Sequence, residues 1–200
     1  MKLYMVLQHI YLVLASSAIC TLLGLVLGVV AYIFRKTAKP ILLVADILQT
    51  IPTLAMLGLI MVFFGSSSTT VIIGLVLYSL LPVVRNTYIG LESVDPAVKE
   101  AAVGMGMNRS SRLFWVELPL AFPMIFTGIR IAVVTAIGVA VFGTFVGGGG
   151  LGRILYNGVR TQNMRLIVQG TVTLMAMAVI VDLFMGRFEK KHLRRNEAKK

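Results

Sequence analysis

Between Leu3 and Phe34 the chain carries no charged residue, and apolar positions dominate the run. A bilayer core about 30 Å thick is crossed by roughly 20 apolar residues in helical form, so the pattern predicts a membrane span over about residues 8–34. A cleavable leader would also begin with a basic residue, here Lys2, and offer small residues such as Ser16 to Ala18. The apolar run outlasts the roughly 7–15 residues typical of such a leader, which favours a retained span. Ile47 to Val84 is a second uncharged stretch, too long for one straight crossing. Gly65-Ser66-Ser67-Ser68-Thr69-Thr70 is a small, polar turn signal inside it, dividing it into spans at about 41–64 and 71–90. A fourth span is expected over about 121–146 and a fifth over about 166–186, the last interrupted only by Asp182.

Residue periodicity gives these spans faces. Ser16, Cys20, Gly24 and Gly28 recur every fourth residue in the first, and Gly128, Ala132, Ala136, Ala140 and Thr144 do so in the fourth. Positions i and i+4 share a helix face, and small side chains there let two backbones approach closely. The second span carries polar groups instead: Asp46, Gln49, Thr50 and Thr53 fall at i, i+3, i+4 and i+7. A central Asp costs roughly 2.5–3.5 kcal/mol in lipid on insertion scales, so the stripe should face protein or water. Pro52 lies within it and leaves the Leu48 carbonyl without its helical donor, predicting a kink. Such a helix suits either the wall of a translocation path or a buried interhelical hydrogen-bond cluster. Tyr78, Pro82 and Arg85 share a face of the third span, and Arg130 sits near the corresponding end of the fourth. Asp46, Arg85, Arg130 and Asp182 can each snorkel to the interface or pair with one another.

Composition supports the membrane reading and closes other routes. Of the 200 residues, 58% are hydrophobic and 14% charged, with a mean hydropathy of +0.90. A soluble chain of this size cannot hide that much apolar surface, and a disordered one would not contain it. A net charge of +11 raises nucleic acid as a partner, but the cations are clumped: seven lie between Arg187 and Lys200, and Arg35, Lys36 and Lys39 form another group. Clusters flanking apolar spans are the mark of cytoplasmic loops, and nucleic acid is not expected. Five spans then place the N-terminus outside and the basic tail, 187–200, in the cytoplasm. The loop 92–119, with Lys99, Arg109 and Arg112, falls inside as well, while Arg153, Arg160 and Arg165 fall outside against the rule.

That inner loop is the most informative segment. Asp95-Pro96 reads as an N-cap followed by proline at the first helical position. A short helix should run through Val98 to Ala102, with small alanines on its outer turn, and end at Gly104 and Gly106. A second helical piece is expected from about Ser110 to Leu118, stopped by Pro119. The spacing of Glu100, Ala101, Ala102, Gly106, Val116, Leu118 and Pro119 resembles the signature of permease subunits of binding-protein-dependent ATP-binding-cassette importers. The resemblance implies an all-α integral membrane protein, five transmembrane helices of the MetI-like importer type with a cytoplasmic coupling loop. It also implies that this loop docks an ATPase subunit, with Glu100 as polar contact, Ala101 and Ala102 allowing close approach, and Gly106 forming the turn. Gln49-Thr50-Ile51-Pro52, Leu80 to Tyr88, Gly128-Ile129-Arg130 and Phe145 to Gly152 resemble the osmoprotectant branch, whose substrates are glycine betaine, carnitine or choline.

Several chemistries are absent from the sequence. There is no phosphate-binding G-x-x-x-x-G-K-[ST] loop, and the glycines at 147–150 lack its Lys-Ser/Thr ending; they should instead let the backbone turn sharply. His9 and His192 stand at opposite ends and Cys20 is alone, so no metal set is expected. His9 and Trp115 are assigned to the membrane interface and His192 to the solvated tail. The chain is therefore expected to be no enzyme and to hold no cofactor, ATP and Mg residing on the partner ATPase. The resemblance implies three further partners: a second permease, identical or not, an extracytoplasmic substrate-binding protein, and membrane lipid. The expected translocation path comprises Asp46, Gln49, Thr50, Pro52, Thr53, Tyr78 and Arg85. Methionine or another small solute is the alternative cargo, and an ATP-independent carrier or channel the alternative class.

Overall fold

A computed structural model describes residues 3–197, with side chains described through Glu189. Lys2 and most of the basic tail assigned to 187–200, His192 included, lie outside the described residues or side chains. The described residues are helical, without strands: α1 (Leu3–Ile33), α2 (Arg35–Thr50), α3 (Thr53–Phe64), α4 (Ser68–Glu92), α5 (Pro96–Gly104), α6 (Arg109–Arg112), α7 (Leu118–Val139), α8 (Gly152–Arg160) and α9 (Met164–Glu197). A π-helical turn, Leu113–Glu117, joins α6 to α7, and a 3-10 segment, Ala140–Val146, extends α7. Four helical stretches are long and apolar enough to cross a bilayer, and α2 with α3 makes a fifth if the pair counts as one span.

The bundle is built around α4. Leu75, Val83, Val84 and Leu91 on it are fully or almost fully buried, and α1 and α7 make the most extensive packing against it. The small-residue ladders explain how. A β-carbon added at Gly24 would fall on Val83, one at Gly28 would lie 2.5 Å from the Thr87 β-carbon, and one at Gly128 would meet Asn86 and the Pro82 carbonyl. Both ladders thus bring a backbone against α4, as small-residue faces do in membranes. Gly28→Leu should force these helices apart, at about 1–3 kcal/mol for overpacking. The expected result is a thermal midpoint lowered by about 5 °C in detergent; an unchanged midpoint would contradict this packing.

Two expectations about continuity are corrected. The span at 41–64 is not one kinked helix: α2 and α3 meet at an angle of 100°. Ile51 and Pro52 both adopt extended backbone there, because proline disfavours helix in the residue before it as well as removing a donor. Nor does Pro119 stop a helix. It directly follows the π-helical turn Leu113–Glu117, where Leu118 N donates to Leu113 O and the widened turn takes up the missing donor, and helix runs on from Arg109 to Val146 over 38 residues.

The two ends of the bundle differ. At one, which carries Arg35, Lys36 and Lys39, the Arg109 Nη2 donates to the last carbonyl of α1, Ile33 O, at 2.7 Å. At the other, Gly147, Gly149 and Gly150 have φ of +80°, +70° and +74°, a region open to glycine at little cost. Gly150 N donates to Gln8 Oε1 at 3.1 Å and Leu151 N to His9 Nδ1 at 3.4 Å. His9 is accordingly not interfacial but fully buried. Since Nδ1 accepts, Nε2 carries the proton and donates to Ile137 O at 3.1 Å, tying α1 to α7. The helix α9 stands apart: only 6% of its most apolar window is buried.

Candidate functional site

The elbow between α4 and α7 is assembled from local signals. Asp95 Oδ1 accepts from Ala97 N at 2.9 Å, and Pro96 follows at the first turn of α5. Lys99 Nζ donates to Leu91 O at 3.0 Å and lies 5.3 Å from the centre of the Tyr32 ring, anchoring α5 to the ends of α4 and α1. The helix closes with Met107 N donating to Ala102 O (3.1 Å) and Gly106 N to Val103 O (2.9 Å), with Gly106 at φ +84°. This is the paired bonding of a glycine-terminated helix. Asn108 then caps α6 by accepting from Ser111 N at 2.8 Å.

What the elbow exposes is as informative as how it folds. Glu100 is exposed, and among the described residues no side chain pairs with it. Ala101, Val103, Met105 and Gly106 are exposed beside it, Met105 to 74%. A β-carbon at Gly106 would meet nothing within 4 Å. The tip thus presents apolar side chains around one unpaired carboxylate on a helix anchored at its base. One expectation is corrected here. Ala102 does not lie on the outer turn; it is 1% exposed and faces the bundle, so Ala101 alone of the pair is exposed. Val116, Leu118 and Pro119 belong to the π-helical turn and the start of α7, beyond the tip.

The polar stripe is divided by the break. Asp46, Gln49 and Thr50 end α2, whereas Thr53 opens α3 after exposed Pro52 and no longer shares their face. The Thr50 hydroxyl donates to its own helix at Ile47 O, 2.7 Å away. Asp46 does reach across: Arg85 Nη2 lies 2.6 Å and 2.8 Å from its two carboxylate oxygens. The side chains remain 42% and 45% exposed. Tyr78, two turns from Arg85 on α4, is half-buried and makes no hydrogen bond among the described residues. Of the expected path, the structure therefore joins Asp46 with Arg85, keeps Gln49 and Thr50 on the same helix end, and separates Thr53.

Arg130 and Asp182 resolve to pairing rather than snorkelling. Arg130 Nε and Nη2 approach the Asp182 oxygens at 2.7 Å and 2.8 Å, a bidentate geometry that fixes the planes of both groups. Its Nη1 also meets Glu189 at 3.1 Å, and the Thr127 hydroxyl donates to the same carboxylate at 2.5 Å. Asp182, Gly186 and Glu189 occupy i, i+4 and i+7 on α9, and a β-carbon at Gly186 would crowd the guanidinium at 3.1 Å. This brace joins α7 to α9. The role of Glu189 was missed from sequence, although the seven-residue spacing with an intervening glycine was there to be read. Glu117, likewise missed, is 1% exposed and accepts from Arg112 Nε at 2.7 Å.

Residues 21–194 match the family described as binding-protein-dependent transport system inner membrane component. The chain is 41% identical over 184 residues to the glycine betaine/carnitine/choline transport system permease protein OpuCD of Bacillus subtilis, covering 92% of this chain and 80% of that one. It is 38% identical over 187 residues to the osmoprotectant import permease protein OsmW of Salmonella typhimurium, covering 91% and 87%. The fold is similar to that of a chain of the MetNI methionine ABC transporter in an inward-facing conformation. The TM-score is 0.81 at 21% identity, over 96% of this chain and 99% of that one. A helical bundle with an exposed elbow, matched over most of its length by one family's pattern, identifies the chain as a member of the inner-membrane components of binding-protein-dependent transport systems.

Proposed function

We propose that this chain is the permease of an ATP-driven importer of quaternary ammonium osmoprotectants: glycine betaine, carnitine or choline. The observation that carries the substrate class is the likeness to OpuCD and OsmW, near 40% identity over more than nine-tenths of the chain. The likeness to the methionine transporter, at 21%, bears on the fold alone. The elbow end of the bundle faces the cytoplasm and the N-terminus lies outside, a reading that the clumping of cations supports. Two permeases, identical or not, enclose one path, because a single bundle of this size leaves its charged pair half exposed. ATP and Mg stay on the partner ATPase, which meets Glu100, Ala101 and Gly106 at the tip of α5. A binding protein delivers substrate to the outer side.

In this scheme nucleotide binding favours one of two bundle arrangements, and only that difference in affinity can drive the exchange. Asp46 and Arg85 then line the path together with Gln49. They hold one another until the substrate's opposite charges pass. The test is uptake of labelled glycine betaine, carnitine, choline and methionine by the importer reconstituted with its ATPase and binding protein. At least one of the three quaternary ammonium compounds should be accumulated and methionine should not. Accumulation of methionine alone would overturn the assignment.

A further inference from the structure

A cleft of about 420 Å³ opens at the basic end, where α1 finishes, α2 begins and α6 runs past both. Arg35, Arg109 and Arg112 line it, together with Tyr32 and Ser110. The one carboxylate in the lining, Glu117, is buried and committed to Arg112. Arg109 uses one nitrogen on the Ile33 carbonyl, a neutral group, and Arg35 has no partner among the described side chains. Two positive charges are therefore uncompensated inside one concave site. None of the three arginines belongs to the elbow tip or to the expected path.

The surroundings identify the anion. The cleft sits at the terminus of a membrane-spanning helix, which is headgroup depth. Phe34, Phe114 and Trp115, neighbours in sequence of the lining residues, are 58%, 65% and 77% exposed, and aromatic residues of this kind gather where bilayer meets water. A ligand that satisfies the arginines at this depth carries a phosphodiester for the guanidinium forks and a hydrocarbon body that stays in the bilayer beside them. We infer that this cleft is a binding site for the headgroup of an anionic phospholipid, held by Arg35 and Arg109.

The test exploits Trp115, the sole tryptophan. The full-length permease is placed in nanodiscs of phosphatidylcholine containing brominated phosphatidylglycerol or brominated phosphatidylcholine, and quenching gives the relative association of the two lipids near Trp115. A basic residue at an anionic surface is worth roughly a fivefold preference, so the two arginines together should favour phosphatidylglycerol by about 25-fold. Arg35→Gln, which removes no internal bond, should lower that preference about fivefold, and Arg35→Gln/Arg109→Gln should bring it to near unity. Arg153→Gln/Arg160→Gln removes the same charge at the opposite end and should leave the preference intact, which separates a site from bulk attraction. Absence of preference, or equal loss in both double variants, overturns the inference. So does displacement of phosphatidylglycerol by millimolar glycerol phosphate, which would mean a soluble phosphate site. Disappearance of the preference once the ATPase is bound would mean that an acidic protein surface fills the cleft, and equally overturns it. Should the Arg109 variant fail to fold, Arg35→Gln against the Arg153/Arg160 control still decides.

Discussion

Gly106→Val is expected to lower substrate-stimulated ATP hydrolysis of the reconstituted importer by at least tenfold while leaving the permease inserted and extractable. The backbone there has φ +84°, where a side chain costs roughly 1–2 kcal/mol, and a β-branched residue is especially unwelcome. No atom of the bundle lies within 4 Å of the position a β-carbon would take. The substitution therefore reshapes the elbow tip without disturbing the interior. Gly106→Asn, which tolerates the left-handed region, should retain much of the stimulation. Ala101→Trp tests the docking separately, since Ala101 is exposed in regular helix and carries no backbone strain. It should block stimulation as severely as Gly106→Val. Full stimulation in both blocking variants, with the complex assembled, would show that α5 is not where the two subunits communicate.

The second large effect concerns Asp46 and Arg85. Asp46→Asn and Arg85→Gln should each reduce uptake by about tenfold or more. The pair is half exposed on a surface otherwise clad in apolar side chains. Charges facing lipid are strongly disfavoured, so that surface must meet water or a second subunit. Single variants cannot separate loss of the path from loss of packing, because each leaves its partner unpaired. The exchange Asp46→Arg/Arg85→Asp does separate them. It should restore the yield of assembled complex, since the ion pair is rebuilt, and leave uptake low, since the charges now present themselves in reverse order to the substrate. Restoration of both would make the pair a brace like that of Arg130.

The helices were readable because lipid imposes a simple rule: long uncharged runs with small-residue faces. Gly24, Gly28 and Gly128 meet α4 as their four-residue rhythm suggests. The elbow was readable because Asp95, Pro96 and Gly106 act locally, through a cap, a fixed φ and a left-handed turn. What sequence could not settle depends on direction in space. Pro52 announces a defect in a helix, but the 100° angle between α2 and α3 is set by what each half packs against. That angle is why Thr53 left the stripe. Pro119 is a breaker by reputation, yet inside a continuous helix its effect is taken up by the π-helical turn just before it. Ala102 shows the same limit at smaller scale: two adjacent alanines look alike in sequence, and only the helical phase of α5 turns one inward. The ion pairs lay between these cases. Asp46, Arg85, Arg130 and Asp182 were visible as charges needing company, and their partners became definite only with α2 against α4 and α7 against α9.

The uninterrupted helix from Arg109 to Val146 makes the bundle a long lever. At a rise of about 1.5 Å per residue, its 38 residues span roughly 57 Å. A rotation of about 10° at the elbow then carries the far end sideways by about 10 Å, well over the width of a small solute. Because α4 is locked against the same shaft, the two swing together. Leu57 seats α3 in the same core and the Arg130 brace ties α9 to the shaft, so in the proposed scheme a modest stroke at one face is carried through the whole bundle to the other.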